Sequence, residues 1–147
     1  MSDFLAFAQL GFRHIVSLDA LDHLLFLLAL AAVYHLRDWR SLVWAVSAFT
    51  VGHSVTLALA VTELMVLPSD VIEMLIPATI VATALANLVT IRAPRAERST
   101  VWRVVLVGFF GLIHGAGFAN YLRELFMESI AVPLLGFNVG IEIGQLL

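Results

Sequence analysis

Five apolar runs, each close to the roughly 20 residues a helix needs to cross about 30 Å of hydrocarbon, divide this chain of 147 residues. They fall at about 18–36, 42–64, 71–91, 101–122 and 130–147. In lipid every backbone N–H and C=O must be bonded within the protein, and for a lone apolar run the α-helix is the structure that does so. The expected fold is therefore all-α, a polytopic transmembrane helical bundle with five spans in a single membrane domain over 1–147. Phe4 to Ser17 mixes apolar residues with Gln9, Arg13 and His14, so 1–17 is expected as an N-terminal interfacial helix ahead of the spans. The sequence stops at Gln145-Leu146-Leu147, inside an apolar run with no flanking charge, and a further helix beyond it is expected.

Composition removes several classes of function. Hydrophobic residues make up 61% of the chain and its mean hydropathy is +0.99, far from the usage of a water-soluble domain. There is no Cys, which excludes disulfides, thiolate metal sites and thiol nucleophiles; any metal must be held by imidazole, carboxylate, amide or thioether. A net charge of -3 with dispersed Arg excludes nucleic-acid binding. No Gly-rich phosphate loop is present, so the sequence offers nothing for an ATP-driven pump.

The charges that remain are unevenly placed. Arg37, Arg40, Arg92, Arg95, Arg98 and Arg103 gather on one side of the expected bundle. Arg13 and Arg123 share the other with Glu63, Asp70, Glu73, Glu124 and Glu128. Because cytoplasmic loops carry the excess of Arg and Lys, this orders the chain as a multi-pass protein of the cytoplasmic (inner) membrane with its N-terminus outside. Connections are short, so consecutive helices are expected to be antiparallel neighbours. Gly111 and Gly115 in the fourth run, and Gly136, Gly140 and Gly144 in the fifth, are spaced to let helix backbones approach closely. Pro77 inside the third run removes a backbone donor, a device that can kink a helix and open a cavity.

Ionisable side chains at membrane depth cost several kcal/mol by insertion scales, so each must face the bundle interior. Here Asp22 and His23 open the first run, with Asp19 and His23 offering an alternative i, i+4 pair. His53 lies in the second run, Glu73 in the third, His114 in the fourth, and Asn138 and Glu142 in the fifth. At 100° per residue Asn138, Glu142 and Gln145 form one stripe, Ser47, Thr50, His53 and Ser54 another, and Glu73, Pro77, Ala84 and Asn87 a third. Several helices can thus point polar sides at a common axis. His53 and Glu142 fall near mid-bilayer and His114 slightly outward, while Asp22, His23 and Glu73 fall nearer the outer face. An acidic mouth above imidazole and carboxylate groups suits the passage of a divalent ion such as Ni2+, Co2+ or Zn2+ rather than calcium or copper(I). Ser47, Thr50, Ser54, Thr56 and Asn87 are expected to hydrogen-bond across helices as packing contacts, and His35 to anchor its helix end.

Four ordered blocks carry a resemblance. They are His14-Ile15 followed by Asp22-His23-Leu24-Leu25-Phe26-Leu27-Leu28; Phe49-Thr50-Val51-Gly52-His53-Ser54-Val55-Thr56-Leu57; Phe110-Gly111-Leu112-Ile113-His114-Gly115-Ala116-Gly117-Phe118-Ala119; and Gly136-Phe137-Asn138-Val139-Gly140-Ile141-Glu142-Ile143-Gly144-Gln145-Leu146. Together they resemble the HupE/UreJ family of membrane proteins, regarded as nickel or cobalt permeases serving hydrogenase and urease maturation. The resemblance implies that His14, Asp22, His23 and His114 belong to a transport pathway, with His53 and Glu142 as additions. It also implies a transported ion with no permanently bound cofactor, a lipid bilayer and a metalloenzyme-maturation route as surroundings, and leaves a homo-oligomer open. One departure matters: seven residues separate His14 from Asp22, more than in the family. On a continuous helix His14 and His23 would stand about 180° apart, so His14 can join the others only across a break, near Ser17. Two rival classes carry the same ligands: an accessory protein that holds metal without transporting it, and a membrane metalloenzyme. The second lacks any closely spaced pair of His, and the expectation is a protein that is not an enzyme.

Overall fold

The computed structural model describes residues 3–65, 68–92, 100–125 and 130–147, and every regular element among them is a helix. In chain order these are α1 (Asp3–Val16), a 3-10 turn (Leu18–Ala20), α2 (Leu21–Ala31), a second 3-10 turn (Leu36–Asp38), α3 (Trp39–Val61), α4 (Ser69–Arg92), α5 (Thr100–Leu125) and α6 (Ala131–Leu146). Arg95, Arg98 and Glu128 lie outside the described residues, as do the side chains of Asp19, Arg92, Arg123 and Glu124.

Helices α3, α4 and α5 are long and apolar enough to cross a membrane, and a fourth crossing is available if α1 and α2 form one span bent by 69°. Their outward faces are apolar: Trp44, Val55, Val81, Leu85, Val89 and Val105 are all exposed, the reverse of a chain folded in water. Helix α6 has 16 residues, about 24 Å at the α-helical rise, shorter than the roughly 30 Å of hydrocarbon.

The N-terminal third departs from expectation. No continuous helix covers 18–36, and α1 packs along α6. The helix breaks at Ser17, a residue type that bonds its own backbone in turns as readily as in helices. The Ala20 N–H donates to the Ser17 carbonyl at 3.0 Å, tightening the chain into the 3-10 turn. Asp22 then sits in the first turn of α2, where a carboxylate complements the unpaired amides of a helix start; its Oδ1 accepts the His23 N–H at 2.8 Å.

The closest packing joins helices that are not consecutive. On α3 and α5, Gly52 meets the Gly108 backbone, Gly111 meets Phe49 and Gly115 meets His53, so the two helices run parallel with main chains in contact. On α1 and α6, Gly136 meets Phe4, Gly140 meets Ala8 and Gly11 meets Phe137, again in parallel. At each of these glycines an added Cβ would fall inside the radius of a carbonyl oxygen. Helix α4 is held more thinly, by α2 and α5. Its buried face is Ile72, Ile76, Thr79, Thr83 and Asn87, whereas Glu73, Pro77 and Ala84 are exposed, which corrects the expected polar stripe. The stripe was drawn through the polar residues; the apolar Ile72 and Ile76 set the face instead.

At the α4 end near the basic residues, the Asn87 amide donates to the Ala29 carbonyl at 2.5 Å and its Oδ1 accepts from Arg103 at 2.7 Å. The Arg103 guanidinium also lies 5.7 Å from the Tyr34 ring centroid. This network ties α2, α4 and α5, a packing role as expected for Asn87.

The α3–α5 seam contains its own control. Gly52→Ala puts a methyl group against the Gly108 carbonyl and should destabilise the protein by about 1–3 kcal/mol. Gly108→Ala meets only ordinary contact with Ala48, at 3.4 Å, and should be neutral or gain up to about 1 kcal/mol from the helix preference of Ala. Thermal unfolding in detergent reads the difference, and equal midpoints for the two variants would contradict the backbone contact.

Candidate metal centre

Four helices each deliver one imidazole to the same place. His14 comes from the last turn of α1, His23 from the start of α2, His53 from α3 and His114 from α5. The break between α1 and α2 lets the His14 and His23 rings meet with centroids 4.7 Å apart. His23 is central, with its ring 6.1 Å from His53 and 5.0 Å from His114. His53 and His114 are fully buried and His23 is 4% exposed. His23 therefore lies beside His53, with Asp22 next to it in the chain and bonded to its ring.

The glycine seams position these rings. His53 follows Gly52 and His114 precedes Gly115, so the residues that let α3 and α5 touch adjoin the ones that carry imidazoles. Ligand atoms of His14, His23 and His53 lie within 4.8 Å of one another, as do those of Asp22, His23 and His114. The two triads share His23. A divalent ion bound by three such atoms needs them at about 2.0–2.2 Å from itself, which separations of this size reach with small side-chain rotations.

Most ring nitrogens face nothing that can bond them. His14 Nε2, His23 Nε2, both nitrogens of His53 and His114 Nδ1 are buried without a hydrogen-bond partner among the described residues. Two others are bonded: His23 Nδ1 lies 3.1 Å from Asp22 Oδ1, and His114 Nε2 lies 2.9 Å from the Thr79 hydroxyl. Each buried group left unbonded costs about 1–3 kcal/mol, so the chain keeps an expensive cluster at its centre.

Phenyl rings close the cluster on several sides. Phe118 lies 4.0 Å and Phe137 5.6 Å from His14, Phe49 lies 5.2 Å and Phe26 5.1 Å from His114. One apolar core, with Leu57, Leu122 and Ile141, packs towards the α3 and α5 C-termini; another, with Phe26, Phe49, Val107 and Phe110, packs towards their N-termini. Among the described residues one face is open: a cavity of about 500 Å3 reaches His14, Asp22, His23 and His114 from a rim that includes Arg13 and Glu73.

The remaining candidates stand apart from the triads. Glu73 is exposed and lines the cavity rim. Glu142 accepts a hydrogen bond from Ser47 at 2.5 Å and Gln145 one from Thr50 at 2.8 Å, so the α6 stripe pairs with the α3 stripe. Asn138 Oδ1 is buried without a partner among the described residues. His35 is exposed, its Nδ1 3.6 Å from Asp38 Oδ2. Sequence reasoning missed Thr79, a Thr in an apolar helix with no mark of function, and the four phenyl rings, which look like ordinary core until His residues are placed between them.

Among family models, one described as HupE / UreJ protein matches residues 1–147, the whole chain. No curated protein and no solved structure matches.

The sharing of His23 by both triads orders the variants of this centre. His23→Ala should weaken binding of Ni2+ or Co2+ by the purified protein more than His14→Ala or His114→Ala alone, each of which leaves one triad whole. Isothermal titration at fixed pH measures this, and equal losses for all three would show that the rings act as one set.

Proposed function

This chain belongs to the HupE/UreJ family, and from that premise we propose that it is a membrane permease for a divalent transition-metal ion, nickel or cobalt first. One observation carries the reading: imidazoles from four helices converge at a buried point, with lone pairs unclaimed, at the end of a cavity open to one side. Neutral nitrogen ligands of intermediate softness suit Ni2+, Co2+ or Zn2+. The acidic residues Glu73 and Asp22 draw a cation inward, and the triad of Asp22, His23 and His114 receives it from the cavity. Passage to the triad of His14, His23 and His53 needs only exchange around His23. Glu142, bonded to Ser47 of α3, and Asn138, one turn before it on α6, serve the deeper part of the path. A set with a single carboxylate binds without trapping, as conduction requires.

The pairing of helices supports a topology of five crossings, and the side rich in Arg, taken as cytoplasmic, puts the N-terminus outside. If the bent α1–α2 unit runs inward, α3 and α5 both run outward and α6 inward. That makes α3 parallel to α5 and α1 parallel to α6, which are the two pairings the glycine contacts join. In this orientation the cavity opens outside and Arg103 lies towards the cytoplasm of a cell whose inner membrane holds the protein. Release there would feed metal to hydrogenase or urease maturation.

A second reading is favoured by the packing beneath the cluster. Phe26, Phe49 and Phe110 close the way towards the Arg103 network, an arrangement that suits a protein holding metal without passing it on. Flux separates the two. His53→Ala or His114→Ala should abolish nickel uptake into proteoliposomes while leaving the fold intact, and wild-type rates in both variants under limiting nickel would refute the permease. Tight binding without uptake by the wild type would favour the holding protein.

A further inference from the structure

We propose that Thr79 is a positioning residue of the imidazole cluster: its hydroxyl fixes His114 as the Nε2–H tautomer, so that Nδ1 presents its lone pair to the ion. The inference rests on the metal-binding reading above and adds a residue on a helix that gives the triads none of their ligands.

Proton counting carries it. Thr79 Oγ1 lies 2.7 Å from the Ile76 carbonyl oxygen and 2.9 Å from His114 Nε2. A carbonyl can only accept, so the single hydroxyl proton goes to Ile76. The hydroxyl oxygen can then only accept from His114, which places the imidazole proton on Nε2. A neutral imidazole has one N–H and one lone pair, so the lone pair falls on Nδ1, the nitrogen that is buried without a partner among the described residues. Both ends of the contact are buried: Thr79 is 4% exposed, His114 is fully buried, and bonding to a preceding carbonyl is a common Thr geometry within helices.

The same device recurs one ligand away with different chemistry. Asp22 Oδ1 accepts from His23 Nδ1, leaving the buried Nε2 as the lone-pair nitrogen of His23. A carboxylate partner raises the basicity of its imidazole and adds a charge that strengthens the hold on a cation. A hydroxyl partner orients the ring without adding charge. The cluster thus has one His backed by an anion and one backed by a neutral group, which gives His114 orientation with weaker grip.

The test uses full-length protein in detergent, with nitrogen-labelled His and the variants Thr79→Val and Thr79→Ser. Nitrogen shifts report tautomers directly. Wild type and Thr79→Ser should show His114, identified by its loss in His114→Ala, as Nε2–H; Thr79→Val, nearly isosteric but unable to accept, should show a mixed or inverted population. Co2+ binding should fall by about 10- to 100-fold in Thr79→Val and recover in Thr79→Ser, the range seen for outer partners of metal ligands. An Nδ1–H tautomer in the wild type, or unchanged tautomer and affinity in Thr79→Val, would overturn the proposal. Wild-type protein that binds no Co2+ but shows the Nε2–H form lost in Thr79→Val would sink the metal reading alone, leaving the hydroxyl's control of the ring in place.

Discussion

Contact between helix main chains at glycine is the constraint on which the rest of this structure depends. In hydrocarbon there is no hydrophobic drive to bring apolar helices together, so association rests on close packing and on polar contacts. Gly52, Gly111 and Gly115 bring α3 against α5, and Gly11, Gly136 and Gly140 bring α1 against α6. Each seam sets a His beside it: His53 and His114 adjoin glycines of the first, and His14 is one turn beyond Gly11 on the second. Moving either pair apart by the size of a methyl group would carry its imidazoles out of reach of His23. The ligand geometry is a product of backbone packing before it is a property of any side chain.

The cluster also solves a problem of charge. A divalent ion entering a low-dielectric interior needs ligands, yet a set of carboxylates would be costly to bury without the ion and would hold it too firmly when present. Neutral imidazoles lower the first cost, and only Asp22 among the triad members carries a carboxylate. It is half-exposed at the cavity, where water still reaches it. The phenyl rings of Phe49, Phe118 and Phe137 pack against His53 and His14, and in the proposed permease their negative faces would be available to a cation.

Much of this was legible in the residues. Apolar runs marked α3, α4 and α5 to within a few positions, glycine spacing marked the contact faces of α5 and α6, and polar residues at depth marked three of the four imidazoles. The break at Ser17–Ala20 was harder to place, because Ile15, Val16, Leu18, Ala20 and Leu21 keep the hydrophobicity of a span while the chain turns. The His14-to-Asp22 interval supplied the hint, since a straight helix would have thrown the two His apart. The pairing of helices was not legible, because short connections favour consecutive neighbours whereas the glycine faces select α3 with α5 and α1 with α6. Nor was the orientation of α4, where Glu73 and Pro77 drew attention from the Ile72, Ile76 and Thr79 face that is buried.

The asymmetry of the packing says which part of a permease would move. A path to the side opposite the cavity must pass Phe26 and Phe110 and then the Arg103–Asn87–Ala29 network. The glycine seams cannot open for it without dismantling the cluster they hold. Helix α4 can, because among the described residues it packs mainly on α2 and α5 along a narrow face and contributes no ligand to either triad. Near the cluster it is tied to α5 by the Thr79–His114 hydrogen bond and by Ile72 and Ile76 packed at Gly117, and at the far end by Asn87. A rigid four-helix frame of α1, α3, α5 and α6 carrying three of the four imidazoles, with α2 and α4 closing its side, separates the element that must keep its geometry from the elements that can yield.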